Sequence, residues 1–168
     1  MSRPRRKYKP RPISLEPWLV AADSAAYLTA DEVKAGSWMV DAGTQAIITA
    51  TDTHDSWRAI FEALNLIEAF GQQGKAILPV WREWHSSCQD LCVTITNRRK
   101  GGVLALHAEE VQQMQSIATT WRDVLTQSTR GQYREALDTA ERKIVQALAR
   151  RDDKITRVDC EHGVLRKT

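Results

Sequence analysis

Apolar residues return every three or four positions through several stretches of the chain, and the longest pair of stripes runs from Trp57 to Ile95. Over residues 53–70, Trp57, Ile60, Phe61, Leu64, Ile67 and Phe70 fall on one face of a 3.6-residue helix. After the break Gly71-Gln72-Gln73-Gly74 a second stripe follows, formed by Ile77, Trp81, Trp84, Cys88, Leu91, Cys92 and Ile95. A four-residue break containing glycine predicts that the two helices form an antiparallel hairpin. Pro79 lies within the second stripe. A proline inside a helix costs about 3 kcal/mol, so this helix starts near Leu78 or bends there. Its far end is marked by Arg98-Arg99-Lys100, cations suited to the negative helix terminus, and by Gly101-Gly102 as a stop.

Val103–Leu106 reads as a short extended connector. His107-Ala108-Glu109-Glu110 then opens a helix whose stripe is Val111, Met114, Ile117, Ala118, Trp121, Val124 and Leu125. Ser128 or Thr129 starts another, with Tyr133, Ala136, Leu137, Ala140, Ile144, Ala147 and Leu148 inward. Between residues 23 and 51 the pattern is weaker. Thr29 with Glu32 has capping-box spacing, and Val33, Gly36, Trp38, Met39, Ala42 and Ala46 can line one face of one or two short helices. Thr51 or Thr53 caps the helix that follows, with Asp52 and Asp55 at its positive end. Four of the five prolines fall in residues 1–17, which predicts an extended, polyproline-like or disordered arm, anchored to the bundle by Trp18-Leu19-Val20. The expected fold class is therefore all-α. It is a helical bundle (18–151) built on an antiparallel helical hairpin, with an extended basic N-terminal arm (1–17) and a C-terminal tail (152–168).

Charge changes this picture in one place. Of the 24 Lys and Arg, six lie within residues 3–11 with no acid among them, and the rest of the chain carries 18 against 21 Asp and Glu. Three cysteines, an odd number, with no signal peptide ahead of them, argue against a disulfide framework. The expected location is the cytoplasm, and no apolar run approaches the roughly twenty residues of a membrane helix.

Arg3, Arg5, Arg6, Lys7, Lys9 and Arg11 would neutralise phosphates, and Tyr8 would stack on a base, which makes residues 3–11 a candidate nucleic-acid contact. A basic proline-rich terminus also serves as a solubilising tail, or folds back on an acidic bundle. Arg98, Arg99 and Lys100 are candidates to extend the same surface, although helix-end electrostatics accounts for them more simply. His85, Cys88 and Cys92 share a helical face in zinc-like spacing, but that face also carries Trp81, Trp84, Leu91 and Ile95 and reads as packing; no metal or other cofactor is expected. Glu62, Glu68 and His107 are the carboxylates and histidine considered for acid–base chemistry. No phosphate loop or hydrolase motif accompanies them, so an enzyme is not expected. Six tryptophans are many for 168 residues; five fall in periodic segments and are expected in the core, and any excess at Trp81 and Trp84 would point to a homodimer or a partner surface.

Taken together, SRPRRKYKPRP (2–12), SWRAIFEALNLIEAF (56–70), VLALHAEEVQQMQSIATTWRDVL (103–125) and YREALDTAERKIVQALAR (133–150) resemble a family of small, uncharacterised helical proteins of phages, prophages and related mobile elements of Gram-negative bacteria. The resemblance lies in the order of elements rather than in a defining motif. It departs around residues 20–50 and after Asp152. It implies a bacterial host cytoplasm and an accessory role in maintenance, regulation or defence evasion. The expected function is a non-enzymatic accessory protein contacting nucleic acid through its arm; the alternative is a protein-binding inhibitor or adaptor acting on a host or defence component.

Overall fold

The computed structural model describes residues 16–73, 79–150, 156–159 and 164–167. The arm up to residue 15 lies outside them, as does Gly74, the last residue of the expected hairpin break. Six helices follow in order: α1 (Glu16–Ala25), α2 (Ala30–Ile48), α3 (His54–Gln73), α4 (Pro79–Lys100), α5 (Ala108–Gln127) and α6 (Arg130–Arg150). Two short strands, β1 (Thr156–Asp159) and β2 (Val164–Lys167), pair antiparallel in the segment read as a plain tail. Among the described residues the bundle is all-helical, and no helix is long and apolar enough to cross a membrane.

Short polar residues start these helices. Thr29 and Glu32 bond reciprocally at the head of α2: the Thr29 N–H donates to Glu32 Oε2 (2.8 Å) and the Glu32 N–H to Thr29 Oγ1 (3.3 Å). Thr53 and Ser56 repeat the arrangement on α3, as do Thr129 and Gln132 on α6. At α5 the Glu110 carboxylate accepts from the His107 N–H at 2.7 Å. Pro79 is the first residue of α4, where a missing N–H leaves no intrahelical bond unmade. That helix ends as its glycines predict. Val103 N–H donates to the Arg98 carbonyl and Gly102 N–H to that of Arg99, with Gly102 at φ 86°, the left-handed turn that closes a helix.

Helix α3 is the centre of the fold and touches α2, α4, α5 and α6. Its Ile60, Leu64 and Ile67 are sealed against Cys88, Cys92 and Ile95 of α4 and Met114, Ile117 and Trp121 of α5. Each fully buried side chain of this kind contributes roughly 1.5–3 kcal/mol. Helix α4 runs back along α3, with His85 beside Leu64 and Arg99 beside Asp52 and Trp57. Yet α3 packs more extensively on α2 and α6 than on α4. Among the described residues α3 is the helix that α2, α4, α5 and α6 share.

Several expectations are corrected. Helix α1 starts at Glu16, two residues inside the arm, because Pro17 is tolerated in a first turn. Leu19 and Val20 are 69% and 57% exposed and anchor nothing. Helix α3 runs through Gly71 to Gln73 instead of breaking at Phe70. The single long helix α2 buries Ser37, Val40, Gly43, Thr44 and Ile47, while Trp38 and Met39 stand 61% and 49% exposed. The reason is close approach: a Cβ on Gly43 would stand 2.9 Å from the Ser56 carbonyl oxygen. No side chain fits at Gly43, and the buried face is completed by Ser37, Val40, Thr44 and Ile47 while the tryptophan stands on the outer one. On α6, Ala136 and Ala140 are buried, whereas Leu137 and Ile144 are 41% and 43% exposed.

Candidate functional site

The arm candidates Arg3, Arg5, Arg6, Lys7, Tyr8, Lys9 and Arg11 lie outside the described residues. The second basic group is described, and two of its members turn inward. Arg99, with a side chain only 10% exposed, pairs with Asp52, donates to the Ile47 carbonyl near the end of α2, and lies 5.9 Å from the centre of the Trp57 ring. Asp52 also accepts from Trp57 Nε1 at 2.5 Å. Arg98 pairs with Glu110 at 2.6 Å and holds that carboxyl below its ordinary range, chiefly through this hydrogen bond. Both guanidinium groups thus tie loops and helix ends together. Lys100 remains exposed at the last position of α4.

A second ionic cluster joins α1, α2 and α6, and the sequence pattern did not reveal it. Arg130 reaches Glu32 through two nitrogens (3.0 and 3.1 Å) and Asp23 through a third (2.8 Å), and Arg134 meets the other Asp23 oxygen at 2.8 Å. The Arg130 hydrogen bond, helped by Thr29, brings the Glu32 carboxyl down to about 2, and Arg134 and Arg130 lower that of Asp23. The cluster rims a groove of about 340 Å³ whose floor includes Leu28, Gly36, Leu125 and Tyr133. Its charged rim is already paired, so the groove offers shape more than an open charge.

The remaining candidates are engaged. Glu62 pairs with Arg58, and Glu68 with Lys143. His107 stands at the head of α5. Cys88 and Cys92 are fully buried, which pushes their thiols up to about 11 and about 12, and His85 Nε2 donates to the Leu64 carbonyl at 3.1 Å. Among the described residues no three His, Cys, Asp or Glu side chains converge as metal ligands.

What the surface does present is apolar. Trp38 projects from the side of α2 opposite its buried face with Met39 on the flank, and Leu19, Val20, Leu137, Ile144 and Val145 are exposed along α1 and α6. Reading α2 from its capping box with the small residues 37, 43 and 44 inward would have found Trp38 outside. Of the tryptophans, Trp57 and Trp121 are buried and Trp84 is half-buried. No family model, curated protein or solved structure matches this chain.

Proposed function

We propose that this protein is a non-enzymatic accessory protein of a phage or related mobile element that contacts nucleic acid through residues 3–11. The observation that carries the reading is the density of charge: six cations and no acid in nine residues, ahead of a chain that is otherwise slightly acidic. Such a segment neutralises phosphates and orders on them, while the helical bundle acts as its scaffold. The inward pairing of Arg98 and Arg99 supports a contact concentrated in the arm, with Lys100 as the only exposed cation of that group. The resemblance in element order supplies the mobile-element setting. Fluorescence anisotropy with labelled single- and double-stranded oligonucleotides tests it, using the intact chain and one lacking residues 1–12. Salt-sensitive binding that vanishes on truncation is expected. Equal binding by both chains, or none by either at low salt, would sink the reading.

A second reading, docking to a host or defence protein, draws on Trp38 and Met39. Both residue types are enriched in interface cores, and a tryptophan opposite a helix's buried face does not contribute to the fold. In that case Trp38→Ala abolishes the biological effect and deletion of residues 1–12 leaves it intact.

A further inference from the structure

Helix α1 lies along α6 in a direction its contacts define. Following the chain back from Ala26 through Ser24 to Asp23, the partners on α6 advance from Arg130, whose N–H donates to the Ala26 carbonyl, past Gly131 to Arg134. The two helices are therefore antiparallel. Carried on from this last turn of α1 at about 1.5 Å per residue on both helices, the pairings would bring Glu16 to the level of residues 139–141. On either side of that level α6 exposes Leu137, Ile144 and Val145. Its outer side also carries Glu135, Asp138 and Glu141, which enter none of the ion pairs that Arg130, Arg134 and Lys143 make. The chain that leads into α1 there carries Ile13 and Leu15, preceded by Lys9 and Arg11. Seven residues, 9–15, span up to roughly 23 Å when extended, about twice the 12 Å of helix between Leu137 and Val145. Tethered to α1, this segment has an effective concentration on the order of millimolar, an advantage no free partner has.

We propose that residues 9–15 of this chain dock on the α6 surface of Leu137, Ile144 and Val145, with Ile13 and Leu15 on these apolar side chains and Lys9 and Arg11 toward Asp138 and Glu141. The docked segment withholds its cations from phosphate, so nucleic acid binds in competition with α6; that consequence rests on the nucleic-acid reading, whereas the docking itself does not.

The test places a nitroxide at Pro10→Cys in the full chain with Cys160→Ser and reads amide line broadening by NMR. Broadening at residues 137–145, absent around Trp38 and independent of protein concentration, is expected. It should fall about three- to tenfold when Ile144→Ser and Val145→Ser are combined, or in Leu15→Ser should the α6 variant fail to fold. Broadening unchanged by these substitutions, or proportional to protein concentration as for a second copy, overturns the docking. In anisotropy the same variants should bind oligonucleotide about three- to tenfold more tightly. Release of the label without a gain in affinity overturns the competition alone. No oligonucleotide binding by any chain overturns the nucleic-acid reading and leaves the docking to the broadening.

Discussion

Arg99 sits where a helix-end cation has become a clamp, and the cost of removing it follows from its surroundings. Its guanidinium serves three elements at once: the Ile47 carbonyl at the end of α2, the Asp52 carboxylate in the following loop, and the Trp57 ring on α3. Arg99→Ala leaves Asp52, 14% exposed, with the Trp57 indole N–H as its remaining charge-stabilising contact. Removing one partner of a buried ion pair costs about 3–5 kcal/mol. This pair keeps one edge toward solvent, which places the cost near the lower end, at about 3 kcal/mol. For a chain of this length each kcal/mol moves Tm by roughly 2–4 °C, so Tm should fall by about 6–12 °C. Asp52→Asn should cost less, since the amide oxygen still accepts from Trp57. A double-mutant cycle between the two positions should show coupling of at least about 1 kcal/mol. Thermal and urea unfolding followed by circular dichroism measure both. Folded Arg99→Ala should keep wild-type oligonucleotide affinity. A Tm within about 2 °C of wild type, together with weakened nucleic-acid binding, would refute the reasoning and return Arg99 to the interface.

The remaining expectations concern charge and backbone. Because Glu32 has its pKa lowered to about 2 in the folded state, its contribution is fully present above its ordinary value near 4.5 and is lost as pH falls toward about 2, and Asp23, also lowered, acts in the same direction. Urea midpoints should therefore fall between those pH values, and Glu32→Gln should flatten that fall. Gly43→Ala sets a Cβ against the Ser56 backbone at 2.9 Å. Overpacking of about 1–3 kcal/mol outweighs a helix-propensity gain of roughly 1 kcal/mol, so the urea midpoint should drop. Ala50 closes α2 at φ 57°, so Ala50→Gly should relieve about 1–2 kcal/mol of strain against a chain-entropy cost of about 0.5–1 kcal/mol and raise the midpoint slightly.

Legibility in the sequence tracked the size of the residues that carry the signal. Helices α3 and α5 announce themselves because Ile, Leu, Met and Trp occupy their inner faces, and most of their stripes are buried, with Phe61, Phe70, Val111 and Val124 only partly so. Helix α2 buries Ser37, Gly43 and Thr44 beside Val40 and Ile47, and because the first three are close to neutral in hydropathy the apolar pattern runs instead through Val33, Gly36, Trp38, Met39, Ala42 and Ala46, with Trp38 inside. Helix α6 misled in the opposite sense: alanines make its close contact with α3, and the bulkier Leu137 and Ile144 lie beside the seam. Capping pairs were readable because they are local, within three residues. The Asp23–Arg130–Glu32 cluster was not, since its members are about a hundred positions apart and no local pattern selects one arginine from its neighbours.

Salt dependence decides how much of the basic surface is used. On duplex DNA, log K falls against log salt with a slope of about −0.9 for each phosphate neutralised. If the arm acts alone, its six cations set a ceiling of about −5 on that slope. Were Arg98, Arg99 and Lys100 to engage as well, the ceiling would be about −8. The inward pairing of Arg98 and Arg99 argues for the smaller number, because engaging them would break the Glu110 and Asp52 pairs and unpin the end of α4. Docking of residues 9–15 on α6 would lower the slope further at low salt, since each arm cation already neutralised by Asp138 or Glu141 releases no net counterion when it moves to a phosphate. A measured slope near −4, steepening toward −5 in the Ile144→Ser, Val145→Ser chain, is the signature of an arm that exchanges one set of anions for another. A slope near −8 in the intact chain would mean that the clamps at the end of α4 open on binding, and the bundle would then be part of the interface rather than its scaffold.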